Sequence, residues 1–291
     1  MYCIVGLNSI NISIDTLDPE KFERLSRRDR KGLVLLKGNI MKAMQYSSLK
    51  VKLNCVVTRD TNDDDIVPLL RWVGQVNSNY WSNHRTEPVE VSRRTLDLRF
   101  IELMPFDSNN WKQDKFMSYM EIIELAARAD PPILLHKGKK KHVTAVVGRP
   151  GVVEVSAEPS DRNDTTKWYH QASSSATPSA EDADSMEQHS GNVGFITSMS
   201  SHFCSTCNRL RVTANGELKI CLFDGDGTET NANSLSLLSL LRSGRTTHEI
   251  TRYISDTVKM KKLALGGLAD HSNNNEGLAN RKNRPMILIG G

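Results

Sequence analysis

Three short runs of strand-type sequence, at residues 10–14, 51–57 and 96–104, are each followed by residues at helical spacing, and this alternation restricts the fold more than any other feature. Strands separated by helices pair in parallel, as an open sheet or a barrel, and in both cases chemistry gathers where the strands end. In the first run Ile10, Ile12 and Ile14 share a face, and Ser13 and Asp15 stand at its end. Asp18-Pro19-Glu20 then supplies an N-cap, a first-turn proline and an early acid, so a helix starts there. Leu33, Leu36, Ile40 and Ala43/Met44 follow as one apolar stripe. Within the second run Cys55 reads as a small core residue, whereas Lys52, flanked by apolar neighbours, needs an anionic partner such as phosphate. Ile66, Leu69, Leu70 and Val73 predict a short helix that tolerates Pro68 only in its first turn. Residues 119–129 predict another. The polar stretch at 74–95 fits neither period and is expected to be an inserted surface loop.

Past Pro131 the character changes. Short β-like runs at 133–135, 143–147 and 152–155 precede a low-complexity stretch, 172–190, expected to be disordered. Gly194-Phe195-Ile196-Thr197 resumes the pattern. The reading is an α/β unit over residues 1–130 and a smaller α+β appendage over 131–291. No apolar run approaches the roughly 18 residues of a membrane span. A net charge of +4 does not argue for nucleic acid, and clusters such as Arg27, Arg28 and Arg30 read as solvated surface charge.

Five cysteines are too few for a disulfide scaffold in a chain this long, and three of them fall within residues 204–221. That grouping favours a reducing compartment and a metal. Cys204-x-x-Cys207 can grip a metal from a tight turn, and Cys221 arrives on the far arm of a hairpin turned at Asn215-Gly216. Three thiolates leave one coordination position over. A zinc ion completed by His202 and a [4Fe–4S] cluster with one open iron both satisfy this spacing. Arg209 and Arg211 follow at period two, and beside an open metal position they make a phosphate clamp of two planar donor forks.

These residues resemble a known family. Phe195-Ile196-Thr197-Ser198-Met199-Ser200, the run from Cys204 through Arg211-Val212-Thr213, and Lys219-Ile220-Cys221-Leu222-Phe223 are similar to the C-terminal cluster motif of the MoaA-type GTP 3′,8-cyclases of molybdenum cofactor biosynthesis. The likeness extends to residues 7–17, 51–57 and 98–107 and to the last residues, 283–291. The resemblance implies a radical S-adenosylmethionine enzyme on an incomplete (βα) TIM-type barrel with a C-terminal α+β cluster-binding appendage. By the same resemblance, a first [4Fe–4S] cluster cleaves S-adenosylmethionine and a second binds GTP. The product would be (8S)-3′,8-cyclo-7,8-dihydroguanosine 5′-triphosphate.

Carried over by position, Cys204, Cys207 and Cys221 would hold the second cluster, and Lys52, Arg209, Leu210 and Arg211 would contact GTP. Ser13 and Met104 would contact S-adenosylmethionine, and the Gly290-Gly291 end of the 284–291 tail would reach into the active site, where glycine's lack of a side chain suits a crowded pocket. The implied partners are GTP, a downstream cyclic pyranopterin monophosphate synthase and, at full length, a second copy as homodimer, with neither nucleic acid nor membrane. The implied compartment is the mitochondrial matrix in a eukaryote and the cytoplasm in a bacterium. The family's C-x-x-x-C-x-x-C has no counterpart in this sequence, and Cys3 stands alone. The chain therefore reads as lacking the first barrel strands, with radical generation not expected of it. A catalytically inactive module that keeps the three-cysteine site and binds a nucleotide or a partner is the competing reading.

Overall fold

The computed structural model describes residues 6–46, 48–83, 95–106, 109, 111–137, 166–172, 192–201, 203–207, 209–223 and 234–261. The expected runs at 143–147 and 152–155, Cys3, His202, most of the low-complexity stretch and the 284–291 tail lie outside the described residues. Two compact units divide the chain: Met1–Glu102 with Met117–Thr197, and Leu103–Phe116 with Ser198–Gly291.

In the first unit, strands β1 (Ser9–Ser13), β2 (Lys50–Val57), β3 (Asp97–Glu102), β4 (Leu134–Lys137), β5 (Lys167–Ala172) and β6 (Asn192–Ile196) form one sheet in the order β1-β2-β3-β6-β5-β4. The first four in that order are parallel, and β5 and β4 close the far side antiparallel. The parallel α/β arrangement expected from the sequence is thus present. Val51, Leu53, Cys55 and Val57 of β2 and Leu98 and Phe100 of β3 are buried in a core with Leu33, Ile40 and Met44. Alternation then places Lys52, Asn54, Asp97 and Arg99 on the opposite face.

The β1–β2 connection holds two helices, α1 (Pro19–Ser26) and α2 (Lys31–Met44). Asp18 caps α1 by accepting from the Lys21 amide at 2.7 Å, and Arg27, at φ 55°, ends it in the left-handed region. Helix α3 (Ile66–Asn83) corrects the reading of residues 74–95 as a loop, because helix continues to residue 83. Its buried stripe, Val73, Val76, Asn77 and Tyr80, includes a polar member. Asn77 accepts from the Leu96 amide at 2.7 Å and donates to the Leu96 carbonyl at 3.2 Å, which satisfies its buried amide. Helix α4 (Tyr119–Ala127) starts at a capping box between Ser118 and Glu121.

In the second unit, β7 (Arg211–Val212), β8 (Glu217–Lys219) and β9 (Ser234–Ser236) make a small antiparallel sheet, followed by α5 (Leu237–Arg242) and α6 (Thr247–Lys259). A capping box of Thr246 and Glu249 opens α6. Among the described residues no helix is long and apolar enough to cross a membrane.

Candidate functional site

The cysteine site is built by local geometry. Cys204–Thr206 forms one 3₁₀ turn closed by the Cys207 amide on the Cys204 carbonyl at 3.2 Å, which spaces the first two thiols. The chain then enters β7 and turns at Asn215-Gly216, where Gly216 takes φ 78° and Thr213 bonds the Asn215 side chain. A left-handed turn position favours glycine. Strand β8 returns antiparallel, pairing Arg211 with Lys219 and Val212 with Leu218, and delivers Cys221 two residues beyond its end. The hairpin predicted from the sequence is therefore formed.

All three thiols are free and partly buried. Phe106, Phe116, Met199 and Phe223 form a buried apolar cluster against which Cys204, Cys221, Met104 and Trp111 pack. Cys221 Sγ accepts the Phe223 amide at 3.4 Å. Burial pushes the Cys204 thiol up to about 11, and the nearby Cys221 and Cys207 add to the shift while Lys261 opposes it. Among the described residues no group of three or more His, Cys, Asp or Glu is already arranged to hold a metal ion. The donor set still fits a thiolate-bound centre: three free thiols in one unit, two of them packed against an apolar cluster and one taking an amide hydrogen bond.

A thiol that titrates near 11 is protonated at neutral pH, so metal capture must release its proton. Apparent zinc affinity of the metal-free chain is expected to rise with pH, by up to roughly tenfold per unit for this one proton, on the alkaline side of neutrality. Competition titrations with a chelator of known affinity at several pH values would measure the slope.

Arg209 lies over the Phe203 ring, 5.6 Å from its centroid, and its carbonyl accepts from Lys261 Nζ at 2.8 Å. Leu210 is exposed. Lys219, which sequence reasoning passed over, is buried on β8 directly opposite Arg211.

In the first unit the second face of the parallel sheet is polar. Arg99 is buried there and reaches across two neighbouring strands, donating from Nε to Asn54 Oδ1 at 2.9 Å and from Nη2 to Asn11 Oδ1 at 2.7 Å. Lys52 is buried on that face, and Ser13 is exposed at the end of β1. Asp97 is buried beside them, where burial pushes its carboxyl up while Lys50, 3.8 Å away, and donors from Asn192 and Thr95 pull it back. Gly194 keeps the face open to Arg99: a Cβ there would stand 2.4 Å from Thr166 Cγ2 and 3.0 Å from Arg99 Cγ. A signal for this network existed in the alternating polar residues of the strands, Asn11/Ser13, Lys52/Asn54 and Asp97/Arg99. A separate groove of about 560 Å³, lined by Arg59, Arg71, Glu121 and Arg128 among others, includes none of the residues singled out from the sequence.

The sequence predictions thus fall in two groups, Ser13 and Lys52 in the first unit, and Met104, the three cysteines and Arg209–Arg211 in the second. Gly290 and Gly291 lie outside the described residues. The Molybdenum Cofactor Synthesis C family profile matches residues 154–265. Molybdenum cofactor biosynthesis protein 1 of Dictyostelium discoideum is 34% identical over 286 residues, 98% of this chain and 34% of that protein. The mitochondrial GTP 3′,8-cyclase of Arabidopsis thaliana is 34% identical over 287 residues, 98% of this chain and 55% of that protein. The GTP 3′,8-cyclase of Syntrophomonas wolfei is 31% identical over 288 residues, 98% of this chain and 66% of that protein. The chain belongs to the GTP 3′,8-cyclase family. It spans about a third of the length of the Dictyostelium relative and about half of the Arabidopsis one. Similarity to the cyclases over nearly the whole chain takes in both the polar sheet face and the cysteine hairpin, so both groups of residues lie within the matched sequence.

Proposed function

We propose that this chain carries the GTP-holding half of a GTP 3′,8-cyclase that makes (8S)-3′,8-cyclo-7,8-dihydroguanosine 5′-triphosphate, the first committed intermediate of molybdenum cofactor biosynthesis. The observation that carries this reading is the hairpin unit in which three free thiols flank Arg209 and Arg211. Cys204, Cys207 and Cys221 would hold a [4Fe–4S] cluster, which when bound supplies an iron with one open position for GTP. Arg209 and Arg211 present planar donor forks suited to phosphate oxygens, and Leu210 holds their spacing. Lys52, buried on the polar sheet face, supplies a cation that phosphate would neutralise. Ser13 and Met104 are proposed to contact S-adenosylmethionine, and Gly290-Gly291 to enter the site as bare backbone. In this reading the parallel strands β1, β2, β3 and β6 are an arc of a partial (βα) barrel, and the cysteine unit is its cluster-binding appendage.

The product would pass to a cyclic pyranopterin monophosphate synthase, and the working assembly would be a homodimer. The Arabidopsis relative, named as mitochondrial, supports a matrix location should the source be a eukaryote. A second reading is a module that binds GTP without generating a radical, since this sequence contains no C-x-x-x-C-x-x-C. Reading the transcript immediately upstream separates the two. An in-frame C-x-x-x-C-x-x-C there excludes the second reading, and a stop-bounded frame supports it.

Substituting both Arg209 and Arg211 with alanine is expected to weaken GTP binding to the anaerobically reconstituted chain by about a hundredfold or more, since each charge-assisted contact contributes roughly 1.5–3 kcal/mol. Calorimetric titration reads the change. Undiminished affinity, or stoichiometric zinc in place of iron with no response to GTP, overturns the cyclase reading.

A further inference from the structure

We infer that Phe106 and Phe223 form an apolar shield over the Cys221 sulfur, so that this ring pair governs how readily water and oxidant reach any metal centre held there. The inference rests on the three-cysteine reading above only for the identity of the metal.

Both rings are buried and lie nearly parallel, 8° between planes and 5.5 Å between centroids. Cys221 and Cys204 pack against the same apolar cluster. Phe223 acts on Cys221 twice: its amide donates to Sγ at 3.4 Å, and its ring belongs to the cover. Phe106 comes from a distant part of the sequence, the Leu103–Phe116 segment that leaves the first unit and joins the second. Asn109 shapes that segment, accepting from the Trp111 amide at 3.1 Å and the Phe106 amide at 3.4 Å and donating to the Met104 carbonyl at 2.7 Å. The Trp111 indole is anchored on the Leu103 carbonyl at 3.1 Å. Phe106 is therefore held where its ring can meet Phe223.

The chemistry of such a cover is specific. Thiolate-bound centres are tuned by hydrogen bonds to sulfur and by solvent access, and the apolar surroundings set the local dielectric. The amide directed at Sγ orients that sulfur, and the stacked rings keep water from competing for it. Ordinary core packing would also place aromatic rings together, but it would not tie their removal to the reactivity of one particular thiol.

The test uses the full chain with Phe106→Ala and the size-retaining Phe106→Leu. In the metal-free protein, iodoacetamide alkylation is followed at each cysteine by peptide mass spectrometry, with Cys207, in the same unit but outside the ring cluster, as an internal monitor of unfolding. Phe106→Ala is expected to speed alkylation of Cys221 by about tenfold, with Cys207 little changed and Phe106→Leu close to the unsubstituted chain. In the reconstituted protein, the visible absorbance of the cluster is expected to bleach correspondingly faster in air. Unchanged Cys221 alkylation in Phe106→Ala, or equal acceleration at Cys207, overturns the shield. A chain that takes up no iron overturns the cluster reading instead, and the alkylation rates still decide the shield.

Discussion

Cys221→Ser is expected to reduce the iron content of the anaerobically reconstituted chain from roughly four per molecule to below about one. Serine is nearly isosteric, so the hairpin that delivers position 221 is retained, but its hydroxyl does not ionise to give a soft anionic ligand as a thiol does. With only Cys204 and Cys207 left, both on one turn, the cluster would lose its one anchor from the returning strand. Cys55→Ala is the internal control. That thiol is fully buried in the strand core of the first unit, takes the Asn62 amide at 3.7 Å and is expected to leave iron uptake unchanged. Iron and sulfide analysis of the three proteins checks the prediction, and full iron retention by Cys221→Ser would remove Cys221 from the ligand set.

Phe195→Ala is expected to destabilise the first unit by about 3–5 kcal/mol, the usual range for deleting a buried aromatic side chain. Phe195 sits on β6, which pairs with β3 on one side and β5 on the other. Its ring lies 6.0 Å from Phe100, 5.9 Å from Tyr119 and 5.3 Å from Tyr169 in an edge-on arrangement. Three neighbours of such different origin cannot collapse together into the space it would leave, so the cavity term adds to the transfer term. Urea unfolding followed by tryptophan fluorescence should show a lower midpoint. A shift below about 1 kcal/mol would mean that the aromatic cluster repacks freely.

The first three strands were readable because β-type alternation is a local property. Ile10, Ile12 and Ile14 mark β1 without reference to anything else, and Asp18-Pro19 marks the helix after it. The cysteine hairpin was readable for the same reason, since its turn, its strands and its thiols all lie within residues 204–221. Helix α3 was cut short because Asn77, Ser78 and Asn79 are poor helix formers, and only the Leu96 backbone, contributed from after the helix, makes a buried Asn77 favourable. Arg99 was passed over because its partners are on two other strands, and the polar alternation of its own run marks a polar face without saying which side chain bridges it. The cover over the thiols was equally hidden, since Phe106 precedes the cysteines by about a hundred residues.

That last separation bears on how the protein is made. Leu103–Phe116 belongs to the second unit but is synthesised in the middle of the first. At a ribosomal rate of about 5–20 residues per second, Phe106 leaves the tunnel several seconds before Phe223 exists. During that interval β3 and α4 can pair and pack before Phe223 is available to the Phe106 ring. Neither unit can be obtained by cutting the chain at a single peptide bond. The three thiols come together only when most of the polypeptide is already in place.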